Sequence, residues 1–137
     1  MKTKYIFPLA LAFTLLFSAC KKDEEEPLTP YQKINGTWRI DNTNWLAQDF
    51  PGDGSTLVFY ECDNAPCDGV DYDADDPSSG TFTYAIIGDE EQIAIVDTSS
   101  AGSNWNANWD ILTFTETELR MTTEFLGSNM IVELSKQ

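Results

Sequence analysis

The chain has 137 residues, of which 23 are acidic and 8 are basic, and its formal net charge is −15 at pH 7. A protein this acidic repels nucleic acid and anionic lipid head groups, which excludes nucleic-acid binding as its function. The chain contains no histidine, so the serine–histidine and cysteine–histidine pairs of common hydrolases are excluded as well. We therefore expect a protein that is not an enzyme.

Residues 1–19 have the three parts of a secretory signal peptide. A basic head with two lysines is followed by an apolar run from Tyr5 to Phe17 and by small residues directly before Cys20. The apolar run is shorter than the ~20 residues that a helix needs to span a bilayer. We therefore expect a cleaved signal and not a permanent membrane span.

The residue that follows this signal peptide, Cys20, indicates how the signal peptide is processed. The stretch "LFSAC", Leu16 to Cys20, resembles the lipobox of bacterial lipoproteins, in which the cysteine is lipidated and becomes the first residue of the mature chain. The resemblance implies lipidation at Cys20. Several acyl chains, at ~0.8 kcal/mol per buried methylene, would hold a soluble domain firmly at a membrane.

A charged block comes next, from Lys21 to Glu26. It is similar to the export signal of surface lipoproteins in the Bacteroidetes phylum, which implies an outer-membrane protein exposed at the cell surface. The alternative is a plain solvated tether that leaves the domain at the periplasmic face of the outer membrane. In both cases the like charges and two prolines predict that residues 20–30 form an unpacked tether.

The remaining residues, 31–137, are enough for one domain with a real core but not for two. This domain contains two cysteines, Cys62 and Cys67. Because an exported protein matures where disulfides persist, we expect these two cysteines to be bonded to each other. The alternative is a metal site of two thiolates, whose other ligands would have to come from a chain without histidine.

The domain is predicted to be all-β. Short runs of β-branched and aromatic residues alternate with Gly, Asn, Asp and Ser, and broken alternation predicts a bulge near Ile111. Short later connections favour an up-and-down antiparallel order, and closure removes exposed edges, so we expect a small barrel of about seven to eight strands. The predicted strands are Thr37–Asn42, Thr56–Glu61, Gly80–Ile87, Gln92–Asp97, Trp109–Thr115, Glu118–Phe125 and Asn129–Leu134.

Two segments resemble the lipocalins. Gly36 and Trp38 in "INGTWRID" are similar to the Gly-x-Trp that opens the first lipocalin strand after a short helical turn. The later segment "NWDILTFTETELRMT" is similar to the meander of lipocalin-like lipoproteins common in the same bacterial phylum. The resemblance implies a barrel in which Trp38 plugs one end and an arginine, for which Arg120 is the candidate, packs across its indole.

The residues expected to face the barrel interior are apolar and mostly large. Lipocalin-like barrels hold apolar ligands, so a hydrophobic small molecule is one predicted partner, and a core filled by its own side chains is the alternative. The candidate cavity residues are Trp38, Phe59, Phe82, Tyr84, Ile95, Phe114 and Met121. The other residues expected to point inward are Ile40, Leu57, Ile86, Ile93 and Val132.

The acidic segment from Cys62 to Gly80 is predicted to be a long solvated loop pinned by the disulfide. Asp71, Asp73 and Asp75 alternate within it and Asp76 follows directly, and hard oxygen ligands of this kind suit Ca²⁺. The glycine and the glutamate of a calcium-binding loop are missing from their usual places. Calcium at these four aspartates is therefore one hypothesis, and a solvated loop without a metal is the other.

Two tryptophans, Trp45 and Trp105, stand in asparagine-rich stretches outside the clear alternation. Exposed indoles beside amides and carboxylates are typical of a glycan-binding surface, because sugar faces stack on rings. The alternative is that both indoles pack against one end of the barrel.

These observations predict three segments: a lipoprotein signal peptide at 1–19, a lipidated tether at 20–30 and a lipocalin-like barrel at 31–137. The predicted function is binding by a protein anchored to the outer membrane through its lipid. The alternative is a structural or interaction module of the cell envelope, with a filled core and no small-molecule ligand.

Overall fold

A computed structural model of the chain describes residues 26–76, 79–99 and 105–137. The signal peptide, Cys20 and most of the tether lie outside these residues. The described part contains one short helix, α1 (Pro30–Ile34), followed by strands. In chain order the strands are β1 (Gly36–Trp45), β2 (Gln48–Pro51), β3 (Thr56–Phe59), β4 (Cys67–Tyr72), β5 (Ser79–Ile87), β6 (Gln92–Asp97), β7 (Ala107–Phe114), β8 (Glu118–Phe125) and β9 (Ser128–Lys136).

Eight antiparallel strands close into a barrel. Each strand from β3 to β9 pairs with the next one along the chain, and β1 pairs with both β3 and β9, which closes the cylinder. The first half of β1, Gly36–Arg39, pairs with β3, and its second half, Asn42–Trp45, pairs with β2. The other edge of this second half pairs with β9, so β2 lies on the same edge of β1 as β3, in line with it, as an extra ninth strand. The prediction of a small, up-and-down, antiparallel all-β barrel is confirmed.

Because side chains alternate along each strand, one face of every strand points towards the interior of the barrel. Phe59 meets Phe82 and Tyr84 edge to face, with ring centroids 5.4 Å and 5.0 Å apart. Burial of such aromatic surface is the main driving force for the fold. The buried residues of this core are Ile34, Trp38, Leu57, Phe59, Cys67, Phe82, Tyr84, Ile93, Ile95, Trp109, Leu119, Met121, Val132 and Leu134.

The helix α1 closes one end of the barrel. It begins with Thr29 as its N-cap, which forms a reciprocal capping box with Gln32. The last helical residue, Ile34, is fully buried, and its carbonyl accepts a 2.6 Å hydrogen bond from Nε1 of Trp38. Lys33 holds the outer side of the helix through a 2.6 Å ion pair with Glu90.

The cation over Trp38 is a lysine and not the predicted arginine. Nζ of Lys136 lies 5.4 Å from the ring centroid of Trp38 and donates to the carbonyl of Lys33. Arg120 lies on the outer face of β8, where its Nε is 3.0 Å from a carboxylate oxygen of Glu133. The prediction for Arg120 is wrong because its neighbours Leu119 and Met121 take the inward positions of that strand.

Six residues in the middle of the segment predicted as an acidic loop, Cys67–Tyr72, form a strand. The sequence of β4, "CDGVDY", pairs along its whole length with β5. Its inward position Gly69 stands opposite Phe82, and a Cβ at Gly69 would overlap the Phe82 ring. The ring thus supplies the apolar surface that the strand itself lacks, which is why alternation in the sequence did not indicate it.

Two bulges adjust the direction of side chains. The pairing of β7 with β8 shifts between Ile111 and Thr113, which confirms the predicted bulge and leaves Leu112 exposed. A second shift, between Ile40 and Asn42, lies on β1 opposite β9.

The disulfide between Cys62 and Cys67 is also confirmed, with Cα atoms 5.7 Å apart. Within the described segments, no helix is long and apolar enough to cross a membrane.

The contact between Lys136 and Trp38 leads to a stability prediction. Replacing Lys136 with methionine keeps the apolar stem but removes the cation from the indole and the donor from the Lys33 carbonyl. We expect a loss of about 1–2 kcal/mol in the free energy of unfolding, measured by chemical denaturation. Arg120→Met is the matched control, because an exposed ion pair contributes less than about 1 kcal/mol. Equal losses in the two variants would contradict this account of the closed end.

Candidate functional site

The two ends of the barrel differ in construction. We call the end covered by α1 the closed end; it also carries the disulfide loop and the turn at residues 88–91. The opposite end, which we call the open end, carries the β1–β2 turn at Leu46 and Ala47 and the β8–β9 turn at Leu126 and Gly127. The last residues of β4 and β6, Tyr72 and Asp97, also lie at the open end. Among the described residues, a helix covers the barrel at the closed end only.

The interior of the closed half is occupied by its own side chains. Six of the seven predicted cavity residues are buried, and the seventh, Phe114, is partly buried beneath the Lys33 ammonium at 4.5 Å. The Tyr84 hydroxyl donates a 2.8 Å hydrogen bond to the Tyr60 carbonyl, and burial raises the pKa of this phenol, so it stays a neutral donor. The core also takes in Ile34, Cys67 and Trp109, which were not predicted to face inward, and Leu119 and Leu134, which alternation places on the buried faces of their strands.

Polar side chains face inward in the open half. Asp71 pairs in register with the buried Leu57, and Asp97 pairs with the buried Phe82, so both carboxylates are on the inner face of the wall. Gly80 stands opposite Asp71, and a Cβ at Gly80 would overlap the Asp71 carboxylate. The glycine therefore leaves the space that the carboxylate fills.

Asp71 has an unusual electrostatic environment. Its Oδ1 atom is buried and has no hydrogen-bond partner among the described residues. Desolvation raises the pKa of this carboxyl above its ordinary value, and the nearby carboxylates of Asp97 and Asp73 raise it further. Asp97 itself accepts hydrogen bonds from the backbone and side chain of Ser99, both at 2.7 Å. The Oδ1 atom of Asp71 is thus a buried acceptor without a donor among the described residues, while backbone N–H groups of Asp71 and Gly80 that bond to the carboxylate offset part of the rise in its pKa.

The second buried polar atom without a partner in the described part belongs to Trp45. This residue pairs with Met130 at the end of β1, and its indole meets Phe125 edge to face at 5.6 Å. Its Nε1 atom is buried without an acceptor. A buried donor of this kind is uncommon in proteins and is often satisfied by water or a ligand.

The predicted surface pair of Trp45 and Trp105 is not exposed as expected. Both indoles are partly buried, and Trp105 packs on Trp109 with ring centroids 5.3 Å apart. The Trp105 carbonyl accepts a 3.0 Å hydrogen bond from the Trp109 indole. The prediction of exposed stacking faces is wrong because both rings find aromatic partners at the open end.

The structure changes the predicted calcium group. Carboxylate oxygens of Asp53, Asp73 and Asp75 lie within 4.8 Å of one another, and all three residues are exposed. Asp53 comes from the β2–β3 connection and was not predicted, whereas Asp71 faces the interior and Asp76 is outside the group. Three carboxylates at this spacing suit a hard divalent cation, so calcium at this modified group stays a prediction.

Apolar side chains form the rim of the open end beside Trp45. Leu46 is 58% exposed, Phe125 39% and Leu126 80%, and we call these three residues the rim patch. Leu46 and Leu126 have φ angles of 53° and 51°, in the left-handed region of two-residue hairpin turns. Asn or Gly is favoured there, and other residues cost about 1–2 kcal/mol. The turns therefore carry exposed leucines against the local conformational preference.

A recess of about 290 Å³ lies on the outer wall of the closed half. Its one basic residue, Arg120, is already paired with Glu133. The recess is therefore a second candidate site, but a weaker one than the open end, because its basic residue is not available to a ligand. Its lining residues are Asp41, Thr113, Glu118, Leu119, Arg120, Glu133 and Leu134.

Comparison with known proteins shows a shared fold. The structure is similar to that of a lipocalin-like protein from Bacteroides uniformis, with a TM-score of 0.53 and 13% sequence identity. The match covers 77% of this chain and 99% of the other. No protein-family model matches the sequence, and no curated protein matches it either. The fold of this chain is thus lipocalin-like.

Because the pKa of Asp71 is raised, we expect that replacing its carboxyl with a neutral group increases the free energy of unfolding, by an amount that depends on pH. Stability linked to this carboxyl is fully present below its unfolded pKa of about 3.9 and is lost as the pH rises through the higher folded value. Asp71→Asn cannot ionise, so we expect it to be more stable than the wild type at pH 7, with a difference that shrinks towards pH 4. Denaturation at both pH values measures this difference.

Asp49 is the matched control, because its pKa is shifted in the opposite direction from that of Asp71. Hydrogen bonds from Asn44 and Asn42 lower the pKa of its carboxyl, so its stability is present above the unfolded pKa and is lost as the pH falls through the folded value. We expect Asp49→Asn to lose stability at pH 7. A gain for Asp71→Asn that is larger at pH 4 than at pH 7 would refute the assignment.

Proposed function

We propose that the protein is a lipid-anchored binding protein of the bacterial outer membrane, exposed at the cell surface, whose barrel takes an apolar or amphiphilic small molecule at its open end. The observation that carries the proposal is the division of the barrel interior. The closed half is packed with large side chains, while the buried polar atoms without a partner, on Trp45 and Asp71, both lie in the open half. Ligand sites commonly combine apolar walls with a few such polar groups.

The position of the tether agrees with this function. The chain enters the fold at Pro30, the first residue of α1, and therefore at the closed end. From Cys20 to Pro30 an extended chain reaches at most ~35 Å, so the closed end would stay near the membrane. The open end would then face away from the anchor, towards solvent and any ligand.

A second candidate function is that of an interaction module without a small ligand. The packed closed half and the exposed leucines of the rim patch favour it, because exposed apolar residues often mark protein contacts. The two candidates differ in whether the protein binds an isolated amphiphile.

Titration with an uncharged amphiphile tests the binding proposal. We expect 1-octanol to bind the chain carrying Cys20→Ser, measured by calorimetry, and Trp45→Phe to weaken the binding about tenfold, because it removes one buried donor. Thr113→Ala, in the outer recess, is the matched control and should leave the affinity unchanged. If Thr113→Ala alone weakens binding, the site is the outer recess, and if octanol does not bind, the interaction module is the better account.

The anchor is tested in cells. We expect the wild-type protein to be found in the membrane fraction and to be digested by protease added to intact cells. Cys20→Ser should release it from the membrane fraction, since the lipid is lost. Replacing the acidic residues from Asp23 to Glu26 with serine should keep the protein in the membrane but protect it from the external protease. A wild-type protein that is already protected would place the domain at the periplasmic face.

A further inference from the structure

The charges of the barrel are distributed unevenly along its axis. The basic residues of the described part are Lys33, Arg39, Arg120 and Lys136, and all four lie in the closed half. Each one already has a partner there: Glu90, Asp41, Glu133 and the Lys33 carbonyl, in that order. The cations of the fold are thus used to hold the closed half together.

The open end carries carboxylates without any of these cations. Asp71 and Asp97 face its interior from β4 and β6, on either side of β5. Further acids stand around it on the strand ends and connections, including Asp49, Asp53 and Glu124. A region of the surface that carries one sign of charge raises the local concentration of ligands of the opposite sign, so cationic molecules are favoured at this end.

Apolar surface lies across the barrel from these inward carboxylates. The rim patch and Trp45 belong to β1, β8 and their turns, whereas Asp71 and Asp97 belong to β4 and β6 on the other wall. The contact between Trp45 and Phe125 joins the two hairpin tips into one apolar surface. The open end therefore has an apolar wall that faces an acidic wall.

We propose that the open end binds an amphiphile with a protonated amine, with the ammonium at Asp71 and Asp97 and the apolar chain against Trp45 and the rim patch. This inference rests on the proposed function and names the chemical class of its ligand. An ammonium group offers three N–H donors, which match the acceptor oxygens of the two inward carboxylates. It would also offset the mutual repulsion of the two carboxylates.

Three eight-carbon ligands separate the contribution of charge from that of the apolar chain. The full chain carrying Cys20→Ser is titrated at pH 7 with octylamine, 1-octanol and octanoate. We expect octylamine to bind about tenfold more tightly than octanol, and octanoate to bind most weakly, because a charge-assisted hydrogen bond is stronger than a neutral one. The advantage of the amine should shrink as NaCl is added.

Variants then locate the two contacts. Asp71→Asn should reduce the affinity for octylamine to that for octanol and leave octanol unchanged. The double variant Leu46→Ser and Leu126→Ser should lower the affinities for octylamine and for octanol by a similar factor. Asp110→Asn is the matched control, because Asp110 lies on the outer wall and accepts a hydrogen bond from Gln92. Thermal melts of each variant confirm that it is folded before titration.

Each result decides between the two levels of the proposal. Octanol that binds as tightly as octylamine overturns the amine inference but leaves the proposed function standing. An amine advantage that survives Asp71→Asn, or that Asp110→Asn removes equally, also overturns it, because the attraction then belongs to the overall charge of the protein. If none of the three ligands binds, the proposed function fails as well. A lysine tetrapeptide that binds as tightly as octylamine would show that the apolar wall takes no part.

Discussion

The hydrogen bond from the Trp38 indole to the Ile34 carbonyl is the contact on which the closed end depends. It ties the first strand of the barrel to the helix that covers it, and it satisfies the only polar atom of a fully buried ring. Lys136, from the last strand, lies over the ring of the same indole. One side chain therefore joins the helix, the first strand and the last strand, so closure of the barrel and attachment of the helix are coupled.

As a result, the polar side chains of the barrel interior lie towards the open end. Because Trp38, Phe59 and Tyr84 fill the closed half, inward positions near the open end are the place where the interior can hold polar groups. Asp71 occupies such a position at the cost of a desolvated carboxyl, and Trp45 at the cost of a buried donor. The stability needed to tolerate both comes from the packed half, which is how a rigid scaffold can carry buried polar atoms without partners.

The barrel was predictable from the sequence, but its acidic wall was not. Alternation such as that of Phe82, Tyr84 and Ile86 depends on a two-residue period that is visible in the chain itself. The strand β4 has almost no such period, because Gly69 makes room for a ring from its neighbour, and the sequence therefore predicts a loop at Asp71. The approach of Asp53 to Asp73 is also a tertiary effect, for which local spacing holds no signal.

The extra strand β2 affects how neighbouring molecules can meet. A closed barrel has no free strand edge, but β2 lies at the end of the strand order and so presents one. Free edges can pair with strands of other molecules and lead to aggregates. This edge has four residues, carries the charged Asp49 and ends in Pro51, which has no N–H to donate. Copies of the protein crowded side by side would therefore find little backbone on which to add a strand.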